Sequence, residues 1–117
     1  MNERIFKVMH KGKDIIILNL SGLQPEAIVA SFPEFNDFVV KERCLRLLID
    51  VTDTHTTPAI KAAGVASDAY LLGKIGKTMK ALVGVKGMQR ILANAMAKDQ
   101  YFASSRQDGL DHLAGQA

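Results

Sequence analysis

Residues 15–20 constrain the fold more than any other part of this sequence. They read IIILNL, so five of the six side chains are large and aliphatic. A strand with one solvent-exposed face alternates apolar and polar residues, whereas a strand that is covered on both faces can be apolar throughout. The run is also too short to span a bilayer. The sequence therefore predicts a central strand with other elements packed against both of its faces.

The first third of the chain predicts a hairpin followed by a helix. Residues 4–10 and residues 15–20 are apolar runs on either side of a short turn that contains Gly12, which is typical of a β-hairpin. Apolar residues then recur at helical spacing over residues 25–42. Because proline removes a backbone donor and crowds the preceding turn, we expect this helix to break at Pro33.

Strand and helix patterns continue to alternate in the rest of the chain. They predict strand 44–51, helix 58–72, strand 77–85, helix 88–96, strand 101–103 and a final helix that Ser105 and Asp108 cap. In the helix that begins at Pro58, a flat packing face is expected from Ala59, Ala63, Ala66 and Ala69. The order β-β-α-β-α-β-α-β-α predicts one α/β domain over residues 1–117, with a mostly parallel sheet.

Composition narrows the cellular setting and the class of partner. Cys44 is the one cysteine, so no intrachain disulfide forms and a reducing cytoplasm is the expected compartment. The opening residues MNER are charged and do not resemble a signal peptide. A net charge of +3, without an RNA-binding signature, is too small to indicate nucleic acid. We expect a cytoplasmic protein without a transmembrane segment.

The charges are distributed unevenly along the chain. Residues 69–98 carry six cations and no acid, whereas residues 26–53 carry six acids and three cations. One interpretation is that these charges only keep the protein soluble. The other is that residues 74–90 carry a surface that faces an anion. The sequence leaves both open.

Three segments, taken in order, resemble the SpoIIAA-like family of small bacterial proteins. They are LLIDVTDTHTTP (47–58), KALVGVKGMQRILANAM (80–96) and YFASSRQDGLDHL (101–113). The resemblance implies the STAS-type fold of anti-sigma-factor antagonists, namely a mixed, mostly parallel sheet with an N-terminal hairpin. It also implies a regulatory or binding role.

The resemblance also directs attention to the start of the second helix. Anti-sigma-factor antagonists carry a phosphorylated serine there, whereas this chain reads DTHTTPA with no serine. Thr56 or Thr57 would take the place of that serine, and a phosphate at a helix N-terminus is electrostatically favourable. Whether either threonine is phosphorylated stays open.

The polar turn after residues 47–51 suggests a metal site as an alternative. Asp50, Asp53 and His55 offer carboxylate and imidazole ligands that zinc or manganese accepts, which would suit a metal-assisted hydrolase. Against this, aspartates in such turns commonly accept hydrogen bonds from backbone N–H groups. No catalytic triad and no required cofactor are predicted.

The preferred functional surface lies where two strands end. Ligands of open parallel sheets bind outside the carboxyl ends of the strands, so residues 52–57 and 84–88 should share one rim. The predicted binding residues are Thr52, Asp53, Thr56, Thr57, Lys86 and Gly87. We expect a non-enzymatic module that recognises a protein partner or a small anionic or lipidic ligand at this rim. Homodimerisation through an exposed strand or the alanine-rich helix is also open.

Overall fold

The computed structural model describes residues 3–85 and 100–115, which form an α/β structure with one five-stranded sheet and three helices. The strands are β1 (Ile5–His10), β2 (Lys13–Asn19), β3 (Arg46–Asp50), β4 (Met79–Val83) and β5 (Gln100–Ala103). The helices are α1 (Pro25–Glu42), α2 (Pro58–Ile75) and α3 (Arg106–Ala114). These strands and helices were predicted, with ends that differ by a few residues. The helix predicted over residues 88–96 lies outside the described residues.

The sheet is mixed, and its strands lie side by side in chain order, β1-β2-β3-β4-β5. β1 pairs antiparallel with β2, and the other three pairings are parallel. Because β2 to β5 run the same way, they end at the same side of the sheet, which we call the carboxyl edge. In register, that edge is formed by Asn19, Asp50, Val83 and Ala103.

β2 is covered on both faces, as the sequence predicted. Ile16 and Leu18 point toward α1 and α2, where they pack in a core with Phe35. Ile15 and Ile17 point to the other face, in the core that contains Leu113 of α3. All four β2 side chains are at most 3% exposed. Burial of each stabilises the fold by roughly 1.5–3 kcal/mol, so this strand ties the two helical layers together.

The break expected at Pro33 is not observed, because α1 continues through this residue to Glu42. Pro33 lies on the exposed side of the helix, so its ring does not have to fit into the core. Phe32 and Phe35, on either side of it, are buried and pack edge to face with ring centroids 6.3 Å apart. This buried aromatic contact holds both halves of the helix against the sheet.

The alanine face predicted for α2 is wrong. Ala59, Ala66 and Ala69 are exposed, and Ala63 is half-buried. The buried face carries Ser67 and Leu71 instead. Ser67 donates a hydrogen bond to the side-chain oxygen of Asn36 on α1, at 2.5 Å. Because alanine gains little by leaving water, the larger aliphatic side chains and this polar contact decide which face is buried.

The predicted cap of the final helix is confirmed, with one refinement. The hydroxyl of Ser105 accepts a hydrogen bond from the backbone N–H of Asp108 at 3.1 Å. The Asp108 carboxylate bonds the N–H of Ser104 at 2.9 Å, one residue before the cap. Gly109 then lets α3 lie close to the sheet, since a Cβ there would be 2.9 Å from Cδ1 of Leu48.

Two adjacent leucines test the orientation of α2. Leu71 is completely buried, whereas Leu72 is 60% exposed. We expect Leu71→Ala to lower the free energy of unfolding by about 2–5 kcal/mol and Leu72→Ala to change it by less than about 0.5 kcal/mol. Urea denaturation of both variants measures the difference. Equal losses would contradict the packing described here.

Candidate functional site

Backbone hydrogen bonds join the loops that follow β2, β3 and β4 at the carboxyl edge. The N–H of Leu20 donates to the carbonyl of Asp50 at 2.8 Å, and that of Gly22 to the carbonyl of Thr52 at 3.0 Å. The N–H of Val51 donates to the carbonyl of Val83 at 2.8 Å. The polar turn after β3 is therefore held from both sides, and the segment beyond β4 lies beside it.

Gly84 is the residue through which the loop after β4 reaches this turn. Its φ is +88°, a conformation that glycine adopts without strain. A Cβ on Gly84 would lie 2.6 Å from the Cα of Thr52, so only a residue without a side chain fits. This contact brings together residues from the two segments that were predicted to share a rim.

The carboxylate of Asp50, at the end of β3, is 6% exposed and accepts three hydrogen bonds. Its Oδ1 accepts hydrogen bonds from the backbone N–H of Thr52 at 3.0 Å and from the Thr52 hydroxyl at 2.6 Å. Its Oδ2 accepts from Nε of Arg106, at the start of α3, at 2.8 Å. The single carboxylate thus connects the turn after β3 to the helix on the opposite layer.

The pKa of Asp50 reflects two opposing effects. Burial raises the pKa, because it disfavours the charged form. The hydrogen bonds from Thr52 and Arg106 favour the carboxylate, and together they outweigh burial, so the pKa lies below its usual value. Asp50 is therefore ionised at neutral pH and serves as a hydrogen-bond acceptor.

Most of the threonines in the turn also have a structural role. The hydroxyl of Thr54 donates to the carbonyl of Val51 at 2.6 Å. Thr57 caps α2, since its hydroxyl accepts from the N–H of Ile60 at 3.2 Å. Thr56 is exposed, between the turn and the helix. Asp53 is exposed as well, at a φ of +56° that suits a tight turn.

Four of the six residues that were predicted to form the rim lie in the part of the chain that the structure describes. Thr52 contacts Gly84, and Thr57 begins α2 at the same edge. Asp53 and Thr56 lie in the loop between them, exposed to solvent. Lys86 and Gly87, the other two residues assigned to the rim, lie outside the described residues. The assignment of these six residues to ligand binding stays a prediction.

The structure does not assemble the alternative metal set of Asp50, Asp53 and His55. Within residues 3–85 and 100–115, no three histidine, cysteine or acidic side chains are placed so that they could hold one ion. Both oxygens of Asp50 are engaged by Thr52 and Arg106, toward the layer that contains α3. His55 is exposed in the loop. The described role of the aspartate at the end of β3 is to accept hydrogen bonds from the turn and from Arg106.

Arg106 is the residue of this edge that sequence reasoning missed. Its guanidinium forms an ion pair with Asp50 across 56 positions of sequence. One signal was available, because an acid at the end of a buried strand needs a partner to offset the loss of hydration. However, β3 and β5 are not neighbours in the sheet. Nothing in the sequence pattern therefore indicated that Arg106, the first residue of α3, would supply the partner.

Comparisons with known proteins assign no family to the chain. No protein-family model matches the sequence, and no curated protein matches it significantly. Across the portion of the chain that the structure describes, no helix has both the length and the apolarity to cross a membrane.

The hydrogen bonds to Asp50 predict how its pKa responds to substitution. Thr52→Val and Arg106→Met should each raise the pKa, because each removes a bond that favours the carboxylate. Thr52→Ser keeps the hydroxyl and should leave the pKa low. Titration of the Asp50 carboxyl carbon shift by NMR measures the pKa directly. Equal values in Thr52→Val and Thr52→Ser would show that the hydroxyl does not contribute.

The lowered pKa of Asp50 makes the stability of the fold depend on pH. A carboxylate whose pKa is lower in the folded than in the unfolded state stabilises the fold at pH values above its unfolded pKa of about 3.9. This stabilisation is lost as the pH falls through the folded pKa. We therefore expect Asp50→Asn to have a lower free energy of unfolding than the wild type at pH 7. This difference between the two proteins should become smaller below about pH 4. Urea denaturation across pH 2–7 would reveal a constant gap if the pKa were not lowered.

The contact between Gly84 and Thr52 predicts a large effect from a small substitution. Gly84→Ala combines a strained positive φ with a clash against the backbone of Thr52, so it should lower the free energy of unfolding by more than about 1 kcal/mol. Gly73→Ala is the matched control, since Gly73 lies in α2 with nothing within 4 Å of its Cβ position. That change should stabilise the helix by up to about 1 kcal/mol. Thermal unfolding of the two variants should shift in opposite directions.

Proposed function

We propose that this chain is a non-enzymatic, STAS-like regulatory module that binds a protein partner through the carboxyl edge and the outward face of α2. The resemblance of its three segments to the SpoIIAA-like family supports the STAS-type assignment. The mixed five-stranded sheet, with α2 beginning at the carboxyl edge, supports the proposal at the level of the α/β fold. Fold alone does not define function, so the surface carries the argument.

The observation that carries the proposal is the apolar character of the outward face of α2. We define this face by Val65, Ala66, Ala69 and Leu72, all of which are exposed. Val65 is 65% exposed and Leu72 is 60% exposed. Their spacing places them on one side of the helix. Contiguous apolar side chains on a surface mark sites of protein association more often than isolated ones do.

The described part of the rim favours a protein over an anion. Residues 52–57 include the acid Asp53 and no lysine or arginine. The cation that the structure places beside this turn, Arg106, is already paired with the buried carboxylate of Asp50. A protein partner needs no such cation, because it is recognised by apolar contact with α2 and by hydrogen bonds with the turn.

Phosphorylation would regulate this interaction most directly at Thr56. Thr56 is exposed and immediately precedes the residue that caps α2. A phosphate there would lie near the positive end of the helix dipole and would change the charge of the docking surface. The hydroxyl of Thr57 is already bonded to the helix, so its modification would disturb the cap.

The proposal is tested by identifying a partner and measuring its affinity for surface variants. Proteins captured by the wild type are identified by mass spectrometry, and the purified partner is then titrated calorimetrically. Val65→Glu and Ala69→Glu should each weaken binding about tenfold or more, because each places a charge in an apolar contact. Self-association, measured by sedimentation, would identify a second copy of the chain as the partner.

Met9→Glu is the matched control for this experiment. Met9 is 71% exposed on β1, at the edge of the sheet away from β4 and β5. The same change in charge there should leave the affinity unchanged. An equal loss for Met9→Glu, or no loss for Val65→Glu and Ala69→Glu, would contradict the assignment of the docking surface.

A further inference from the structure

A cleft of about 220 Å³ lies at the other end of the parallel strands, between α2 and the beginnings of β4 and β5. Thr78 and Lys80 border it from β4, and Gln100 is the first residue of β5. The cleft is thus remote from the turn at residues 52–57, which follows the opposite end of β3. Its lining residues are Asp68, Leu72, Lys77, Thr78, Lys80 and Gln100.

Lys80 is the unusual member of this group, because its side chain is only 7% exposed. It points to the same face of the sheet as Leu82, toward α2, whereas Ala81 between them belongs to the opposite core. Its neighbours in the sheet are Leu47 on β3 and Gln100 on β5. A buried ammonium is costly unless it is paired.

The partner that the structure gives Lys80 is Asp68 of α2, with which it forms an ion pair. The pairing is unequal, because the side chain of Asp68 is 44% exposed while that of Lys80 is almost completely buried. A buried ion pair often contributes no more stability than apolar side chains of similar volume. Stability alone therefore does not explain a lysine at this position.

The lining of the cleft suits a small molecule that carries an oxyanion. Lys80 and Lys77 supply positive charge, and Thr78 and Gln100 supply neutral hydrogen-bond donors. Among the described residues that line the cleft, two are cations and one, Asp68, is an acid. Leu72 adds an apolar wall. The volume is below the roughly 300–1,000 Å³ of pockets for drug-sized ligands, which limits the ligand to a small one.

We propose that this cleft binds a small organic anion, with its carboxylate or phosphate group held by Lys80. Asp68 and the ligand compete for the same ammonium group. Because Asp68 is partly exposed, its carboxylate can turn into water when the ligand enters. Lys80 then exchanges one anionic partner for another and remains paired throughout.

The competition between Asp68 and the ligand predicts that two substitutions change the affinity in opposite directions. Lys80→Met removes the anchoring charge and should weaken binding about tenfold or more, as expected for a charge-assisted hydrogen bond. Asp68→Asn removes the competing carboxylate and should strengthen binding several-fold. A lysine with only a structural role would give no gain of affinity in Asp68→Asn.

Sodium butyrate and inorganic phosphate serve as the two probes, titrated separately at constant ionic strength while amide shifts are followed by NMR. We expect saturable shifts at Leu72, Thr78, Lys80 and Gln100 with at least one probe, and none at residues 52–57. The probe with the higher affinity identifies the anionic group. Absence of saturable shifts at the cleft with both probes would overturn the proposal.

Lys74→Met is the matched control, since it removes the same charge from the same region. Lys74 lies over the ring of Tyr70, with its Nζ 5.7 Å from the ring centroid, and does not line the cleft. Its substitution should leave the affinity unchanged. Equal weakening by Lys74→Met and Lys80→Met would show only general electrostatic attraction and would overturn the proposal. The amide spectrum of each variant without ligand checks that its fold is retained.

Discussion

The ionised carboxylate of Asp50, almost completely removed from water, is the interaction on which the carboxyl edge depends. β3 is the middle strand of the sheet, and its last side chain must be satisfied by whatever surrounds it. Thr52 satisfies it from the following turn, and Arg106 satisfies it from the start of α3. One side chain thus links the turn after β3 to the start of α3. Gly84 completes the arrangement, because its lack of a side chain allows the neighbouring loop to lie against Thr52.

α2 relates the two surfaces to which we assign binding. Thr57 caps its start at the carboxyl edge, and the helix extends along the sheet to Asp68 and Leu72, which line the cleft. Its buried face is narrow, so most of its apolar side chains remain outside the core. The helix therefore presents a protein-docking face to solvent and also contributes the acid that pairs with Lys80. Leu72 belongs to both surfaces, whereas the residues that decide each proposal, Val65 and Ala69 for docking and Lys80 for the cleft, do not overlap.

Sequence reasoning was successful where a local pattern has one physical solution. The aliphatic run in β2 required cover on both faces, and Ser105 followed by Asp108 marked the start of α3. It failed where two solutions compete. Proline usually interrupts a helix, but Pro33 lies on the exposed side of α1 while Phe32 and Phe35 beside it are buried in the core. The alanines of α2 formed a regular face, but alanine gains too little from burial to determine which side of the helix faces the core.

The sequence by itself determined which segments become strands and helices, because hydrophobic periodicity and capping residues act over a few neighbouring positions. It also located the polar turn after β3 and placed the segment after β4 beside it. Only the tertiary structure decided what the charged residues do. Asp50, which the sequence allowed to be a metal ligand or a turn acceptor, became the acceptor for Thr52 and Arg106, and Lys80, one of the cations whose role the sequence left open, became a buried one. The reason is physical: burial and pairing of a charge depend on residues that are far away in sequence and meet only after the helices pack on the sheet.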